Sequence, residues 1–287
     1  MKSLPWRVLI FSLLFFCTLF ATTSFAKTLT DIPYGTAKEQ KLDIYLPDKA
    51  ANSPIIFMVH GGAWRFGDKQ NRGLVKSKVA RWVSRGWAFV SINYRMLPNT
   101  APDQQAVDVA KALAYVQTHS AKWGADSSKI IVMGHSAGAH LVSLLVTDPS
   151  LSDSKTLPQI KGAILLDTAA LDVNRLMTQK HARLYDRAFG DNPIYWRKVS
   201  AIEHLHNKVK PVLLVCSIQR EDSCEQANYF VNKALKLGVK AQQLRIDLSH
   251  SKINTSLGDN NLYTDQIEDF IRTLDPYFNA YLQTRAR

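Results

Sequence analysis

Residues 129–140 read KIIVMGHSAGAH, an apolar run that passes directly into the motif Gly134-His135-Ser136-Ala137-Gly138. The apolar run is typical of a buried strand, and the small apolar residues over 137–145 favour a helix. Strand, sharp turn and helix together predict a nucleophile elbow, in which a serine hydroxyl projects above the end of a sheet. We therefore expect Ser136 to be a nucleophile. The alternative is a tight turn without chemistry.

Strand-like runs alternate with amphipathic segments along most of the chain. Strands are predicted over residues 41–47, 54–60, 87–94, 129–135, 161–167, 211–217 and 241–247. Helical spacing is found over residues 103–122, 137–145, 224–237 and 264–273. Near-continuous apolar strands that alternate with helices indicate a mostly parallel sheet covered on both faces. The expected fold class is α/β, as a three-layer α/β/α sandwich.

Residues 168–209 fall outside this alternation. We expect them to form a small cap over the site, and a surface insertion without function is the alternative. The chain shows no linker or internal repeat, and its length after the N-terminal segment is normal for one large α/β domain. Residues 27–287 are therefore predicted to form a single domain.

The N-terminal segment has the pattern of a secretory signal. Lys2 and Arg7 precede an apolar run over residues 8–20, and small residues precede Lys27. We expect cleavage after residue 26, with the mature protein periplasmic or secreted. A retained membrane anchor is the alternative, although the apolar run is shorter than the roughly 20 residues of a spanning helix. No second membrane segment is predicted.

The net charge is +12, but the basic residues are scattered and do not alternate with aromatic residues as in nucleic-acid grooves. General solubility is the preferred interpretation, rather than affinity for polyanions or anionic membranes. In an oxidising compartment, Cys216 and Cys224 are predicted to form a disulfide. No metal-ligand spacing is found, and no metal or cofactor is expected.

A glycine-rich turn, His60-Gly61-Gly62-Ala63-Trp64, follows an earlier apolar strand. Backbone N–H groups that face a developing oxyanion typically contribute about 3–4 kcal/mol each to transition-state stabilisation. We assign this oxyanion hole to the N–H groups of Gly62 and Ala63, together with Ala137 after the elbow. His60 is expected to hold the loop rather than to transfer protons.

The general base is predicted to be His250, which follows the last strand-like run. This position matches the chain order of nucleophile, acid and histidine. His204 and His206, in the predicted cap, are the alternatives. Trp64, Phe66, Tyr94 and the aromatic residues of 185–196 are candidates either for an acyl pocket or for the core.

The acid of the triad is expected after the strand that ends near Ser217, where the sequence reads IQREDSC. Asp222 and Glu221 both qualify, and Asp222 is preferred because its side chain is shorter. A bridge between Cys216 and Cys224 would clamp this loop. Asp167 and Asp247 are interpreted as strand-end residues with structural hydrogen bonds.

These segments resemble a known superfamily. HGGAWRFGDK at 60–69, NYRMLP at 93–98, GHSAGAH at 134–140 and the late LSH are similar to α/β-hydrolases, namely bacterial esterases of the hormone-sensitive-lipase-like and kynurenine-formamidase-like groups. Two departures stand out. Ala63 replaces a third glycine, and the usual short G-x-x-D is replaced by SIQREDSC.

The resemblance implies a metal-free serine hydrolase that acts on a small-molecule carboxylic ester through an acyl-enzyme. An arylformamidase-type amide hydrolase on the same triad is the alternative within enzymes. A non-catalytic binding protein on a hydrolase scaffold is the alternative from another class, since a fold alone does not establish turnover.

Overall fold

The computed structural model of the chain describes residues 27–151 and 159–282. Within these ranges the strands are β1 Lys27–Pro33, β2 Lys41–Leu46, β3 Ser53–Val59, β4 Ala88–Ile92, β5 Ala125–His135, β6 Ile160–Leu166, β7 Val212–Ser217 and β8 Ala241–Ile246. They form one sheet in the order β1-β2-β4-β3-β5-β6-β7-β8. β1 pairs with β2 and β2 with β4 in antiparallel fashion, and the other neighbours are parallel. The predicted signal segment lies outside the described residues.

Helices connect the strands. In the described ranges the α-helices are α1 Arg72–Trp82, α2 Pro102–His119, α3 Ala137–Thr147, α4 Val173–Met177, α5 Arg183–Phe189, α6 Pro193–Lys198, α7 Glu221–Lys236, α8 His250–Thr255, α9 Leu262–Leu274 and α10 Asn279–Leu282. Within the described part of the chain, none of these helices has the length and apolar character needed to cross a lipid bilayer.

The sheet is covered on both faces. Every residue of β3 is buried. Ile55 and Phe57 pack with apolar residues of α2, α3 and α7, whereas Ile56 and Met58 pack with those of α1 and α9. Because side chains alternate across a strand, a continuous apolar run serves both layers. The predicted three-layer α/β/α sandwich is confirmed.

β1 and α1 were not predicted. β1 is an edge strand whose side chains are exposed or half-buried, so its sequence KTLTDIP lacks an apolar run. α1 is polar on average, and one of its buried side chains is Lys78, whose ammonium donates to the backbone carbonyl of Asn254 at 2.6 Å. Apolar periodicity does not detect elements of this kind.

The segment predicted as a cap, residues 168–209, contains the short helices α4, α5 and α6 between β6 and β7. It is tied to the body of the domain at the beginning of α2. Lys198 forms an ion pair with Asp103 at 2.8 Å, and the hydroxyl of Tyr195 donates to the same carboxylate at 3.1 Å.

The parallel strands end at one edge of the sheet. Because β3 and β5–β8 run in the same direction, the residues after them lie close together. This edge gathers the loop after β3, Ser136 after β5, Asp167 after β6, the loop after β7 and His250 after β8.

Candidate active site

Ser136 lies in the turn between β5 and α3. Its backbone has φ 55° and ψ −121°, a conformation that L-residues rarely adopt. The turn is tightly packed, since a Cβ added at Gly138 would lie 2.3 Å from the carbonyl oxygen of Val59. Only glycine allows α3 to approach β3 this closely. The turn has the shape of a nucleophile elbow.

The loop after β3 is held in an unusual backbone conformation. Gly62, Ala63 and Trp64 all have positive φ, at 128°, 51° and 58°. The loop lies against the elbow, because a Cβ added at Gly61 would be 2.8 Å from the Cβ of Ser136. Non-glycine residues in this region cost about 1–3 kcal/mol each and persist where surrounding contacts hold them.

Trp64 supplies those contacts. Its side chain is buried, and its indole N–H donates to Nδ1 of His140 at 3.1 Å. Its ring also meets Phe189 of α5 edge-on, with the ring centroids 4.8 Å apart. Nε2 of His140 in turn donates to the carbonyl of Val199 at 2.8 Å. The loop after β3 is thereby fixed both to α3 and to the segment between β6 and β7.

The three amides predicted for the oxyanion hole, those of Gly62, Ala63 and Ala137, belong to residues that line one cavity together with Ser136. Ala137 opens α3, where backbone N–H groups lack partners within the helix. Among the described residues, the backbone N–H groups of Gly62 and Ala63 donate no hydrogen bond to the protein. All three amides are therefore available to an oxygen in the cavity.

His60 holds the loop from beneath. The His60 ring stacks on the Tyr94 ring with the centroids 4.5 Å apart, and Nδ1 of His60 donates to the carbonyl of Gly61. The hydroxyl of Tyr94 donates to the backbone carbonyl of His60 at 2.9 Å. Burial lowers the pKa of His60. Tyr94 is thus a core residue that supports the loop.

His250 is the first residue of α8, and Ser249 caps this helix by accepting from the N–H of Lys252. The backbone carbonyl of His250 accepts a hydrogen bond of 2.9 Å from Nε2 of His135. Burial, and then the neighbouring His250, lower the pKa of His135 to about 3, so His135 remains a neutral donor. The imidazole of His250 lines the same cavity as Ser136.

Ser136 Oγ makes no hydrogen bond of 3.5 Å or less within the described ranges. Catalytic hydrogen bonds are often long in ligand-free structures and tighten when substrate binds. The alternative bases are engaged elsewhere: Nε2 of His204 donates to the carbonyl of Lys198, and Nδ1 of His206 accepts from the N–H of Lys208.

The carboxylate beside His250 is Asp167, not Asp222 or Glu221 as the sequence led us to expect. Oδ2 of Asp167 lies 2.6 Å from Nδ1 of His250. Asp222 and Glu221 belong to the first turn of α7, where Oδ1 of Asp222 accepts from the N–H of Ser223 at 2.8 Å and Oδ2 lies 3.5 Å from Nη2 of Arg220. β6 is the neighbour of β5, so the residue after β6 lies beside the serine turn. The signal in the sequence was an aspartate directly after a fully apolar run.

Asp167 is buried, and both oxygens of its carboxylate accept hydrogen bonds from the surrounding residues. Its Oδ1 accepts from the N–H of Ser217 at 2.9 Å and from the hydroxyl of Ser223 at 2.5 Å. Its Oδ2 accepts from His250 and from Nη1 of Arg220, at 2.9 Å. Burial by itself raises the pKa of Asp167, but these hydrogen bonds and the guanidinium outweigh it and hold the pKa well below its usual range. Asp167 is therefore an ionised acceptor.

The donors from β7 lie in a loop closed by a disulfide. Cys216 and Cys224 are bonded, which confirms the predicted pair. Ser217, Arg220 and Ser223 all lie between the two cysteines. The disulfide thus closes the loop that surrounds the Asp167 carboxylate.

The cavity has a volume of about 590 Å³ and opens to solvent beside α5. Leu184 and Tyr185 of α5 form part of its wall, together with Trp64 and Arg220. Phe66 lies at its mouth with 64% of its surface exposed. The lining is mainly apolar around a small set of polar groups, as is usual for sites that bind small molecules. In the described ranges, no group of three or more His, Cys, Asp or Glu side chains could hold a metal ion.

Comparison with known proteins places these residues in a family. Residues 42–220, more than half of the chain, match the family model BD-FAE. The chain belongs to the BD-FAE family. The matched part of this BD-FAE chain includes the loop after β3, Ser136, Asp167 and Arg220, and it ends before His250.

The BD-FAE chain is also similar to curated proteins. It is 31% identical over 207 residues to the esterase LipQ of Mycobacterium tuberculosis (strain ATCC 25618 / H37Rv), covering 67% of this chain and 48% of LipQ. It is 34% identical over 146 residues to the kynurenine formamidase of Danio rerio, covering 50% of this chain and 46% of that protein. The chain thus spans about half the length of these relatives.

Among solved structures, the BD-FAE chain resembles the esterase 2 of Thermogutta terrifontis phosphonylated by sarin. The TM-score is 0.69 at 20% identity, over 91% of this chain and 97% of the other. At this identity the likeness concerns the fold alone. Together with the family match and the esterase and kynurenine formamidase relatives, this fold confirms the resemblance to α/β-hydrolases.

Proposed function

We propose that this protein is an exported serine hydrolase that cleaves small-molecule carboxylic esters. Ser136 acts as the nucleophile, His250 as the general base and Asp167 as the acid that orients the imidazole. The observation that carries the proposal is a single cavity lined by Ser136, His250 and the three residues Gly62, Ala63 and Ala137. The backbone N–H groups of these three residues donate no hydrogen bond to the described part of the protein. The esterase LipQ, as a relative, supports the choice of an ester.

Acylation follows from this arrangement. Nε2 of His250 takes the hydroxyl proton of Ser136 as Oγ bonds to the ester carbonyl carbon, and the carbonyl electron pair moves onto oxygen. The amides of Gly62, Ala63 and Ala137 receive this oxyanion. The carbon–oxygen ester bond then breaks, and the leaving alkoxide takes the proton from His250 and departs as the alcohol.

Deacylation uses the same groups. A water molecule gives a proton to His250 and bonds to the acyl carbon, again forming an oxyanion at the three amides. The bond to Ser136 Oγ then breaks, Oγ recovers the proton from His250, and the carboxylic acid leaves. Asp167 remains ionised throughout and stabilises the imidazolium in both steps.

An amide-type hydrolysis is the second candidate, because one relative is a kynurenine formamidase. The same attack and oxyanion serve a formamide, with an amine as the leaving group. Turnover of p-nitrophenyl esters of graded acyl length, measured beside N-formylkynurenine, separates the two. We expect the ester series to give the higher kcat/KM, and a preference for N-formylkynurenine would move the assignment to amide hydrolysis.

Labelling with a fluorophosphonate probe tests the proposal directly. We expect the wild-type protein to become labelled, and the label to disappear in Ser136→Ala, because only an activated serine reacts at a useful rate. Ser84→Ala is the matched control, since Ser84 is an exposed serine in the turn after α1. Wild-type protein that is folded but neither labels nor hydrolyses any ester would make the chain a binding protein on a hydrolase scaffold.

Export is the finer part of the proposal. It is supported by the signal-like pattern of residues 1–26 and by the Cys216–Cys224 disulfide, which persists in oxidising compartments. N-terminal sequencing of the protein expressed at full length tests it. We expect the mature chain to begin at Lys27 in the periplasmic or secreted fraction, and an uncleaved N-terminus in the membrane fraction would indicate an anchor.

A further inference from the structure

We propose that Arg220 is a positioning residue of the triad, holding the oxygen of Asp167 that orients the imidazole of His250. This inference rests on the proposed function. Nη1 of Arg220 lies 2.9 Å from Oδ2 of Asp167 and 2.8 Å from Nδ1 of His250. One guanidinium nitrogen therefore touches both the acid and the base.

The proton arrangement follows from the distances. A separation of 2.6 Å between Nδ1 of His250 and Oδ2 of Asp167 requires a proton between them, and the ionised carboxylate leaves that proton on nitrogen. Guanidinium nitrogens donate and do not accept. Arg220 and His250 thus both donate to Oδ2, and their nitrogens are neighbours only because they share this acceptor. Arg220 thereby fixes where the His250 N–H points.

The loop that carries Arg220 holds the carboxylate from both sides. Ser217 and Ser223 donate to Oδ1, and Arg220 donates to Oδ2. His250 is the fourth donor, so rotation of the Asp167 carboxylate would break several hydrogen bonds at once. The loop after β7, where the sequence led us to expect the acid, thus supplies donors to an acid that follows β6.

Other polar groups near the triad come from neighbouring elements, namely His135 after β5, Asp222 of α7, Tyr185 of α5 and Tyr263 of α9. Among the side chains that the structure describes, only Arg220 makes polar contacts with both the Asp167 carboxylate and the His250 ring.

The test compares Arg220→Met, which removes donors and charge, with Arg220→Lys, which keeps the charge but loses the planar fork. We expect kcat of Arg220→Met to fall about ten- to a hundredfold with KM little changed, because a misplaced base slows chemistry rather than binding. Arg220→Lys should retain more of the kcat than Arg220→Met, because it keeps a charged donor beside Asp167.

Chemical rescue distinguishes positioning from stability. Millimolar guanidinium should restore part of the kcat of Arg220→Ala, whereas sodium chloride at equal ionic strength should not. Arg245→Met is the matched control, because Arg245 is exposed on β8 beside the same loop. The proposal is overturned if Arg220→Met matches the wild type in kcat. It is also overturned if the loss of kcat follows a lowered Tm and guanidinium does not restore the activity of Arg220→Ala. A wild-type protein without esterase activity would instead overturn the proposed function.

Discussion

Asp167 and His250 are separated by 83 positions in the chain, yet Oδ2 of the one lies 2.6 Å from Nδ1 of the other. Asp167 follows β6 and His250 opens α8 after β8, so the contact spans the carboxyl ends of three neighbouring strands. β7 lies between them and contributes the loop that surrounds the carboxylate. This relationship makes the identity of the acid directly testable.

Asp167→Asn is expected to lower kcat about 10³-fold or more while the protein stays folded, because an amide cannot hold the imidazole in the required tautomer. The assay is hydrolysis of p-nitrophenyl acetate, with circular dichroism as a check on folding. Asp222→Asn is the matched control and should keep kcat close to the wild-type value. Loss in Asp222→Asn with activity retained in Asp167→Asn would return the role to α7.

Removal of the disulfide in Cys216→Ala/Cys224→Ala is expected to lower the free energy of unfolding by about 2.5 kcal/mol, from the closure of so short a loop. It should also lower kcat, because Ser217, Arg220 and Ser223 lose their fixed position around Asp167. Urea denaturation and steady-state kinetics measure the two effects. Unchanged kcat in a destabilised variant would show that the loop keeps its shape without the bridge.

Gly61→Ala is expected to reduce kcat strongly, since the added Cβ would lie 2.7 Å from the carbonyl oxygen of His135 and would push the loop away from Ser136. Ala63→Gly is the informative counterpart. Ala63 has φ 51°, which glycine adopts readily, so activity should persist. Steady-state kinetics on one ester compare the kcat values of the two variants. Equal losses of kcat would show that the close contact of Gly61 with His135 does not determine the position of the loop.

The buried histidines predict a dependence of stability on pH. Burial lowers the pKa of His140 to about 4 and that of His135 to about 3. The unfolded chain takes up these protons near pH 6.5, well before the folded protein does. The stabilisation is therefore complete above pH 6.5 and is lost as the pH falls toward 4, with a limiting slope of about 1.4 kcal/mol per pH unit for each histidine.

Urea denaturation at pH 7.0 and pH 4.5 measures this loss. His140→Gln keeps a donor and an acceptor but does not titrate, so its free energy of unfolding should fall less over the same interval. An identical fall in wild type and variant would contradict the assignment of His140 as a neutral core residue.

Much of this architecture is readable from the sequence because its signals are local. The apolar run before Gly134 and the glycines around Ser136 specify strand, turn and helix within a dozen residues, and each predicted strand has a counterpart in the sheet. The acid is different, because its identity depends on which strand ends face each other. Asp167 directly follows the buried strand β6, whereas Asp222 lies in the first turn of α7, where its carboxylate contacts Ser223 and Arg220.

The role of Arg220 was likewise hidden from the sequence, since nothing local distinguishes it from an exposed arginine. Its contacts arise only when β6, β7 and β8 lie side by side. β1 and α1 were missed for another reason, as an edge strand and a polar helix carry little apolar periodicity.

Trp64 holds the loop after β3 in one conformation in the folded protein. Its links to His140 and Phe189 are made when the chain folds, before any ester arrives. The amides beside it are thus already oriented, and an incoming molecule does not have to rearrange them. Because no binding energy is used to order these amides, it can stabilise the oxyanion of the reacting ester instead. Turnover then does not require this loop to close over the substrate.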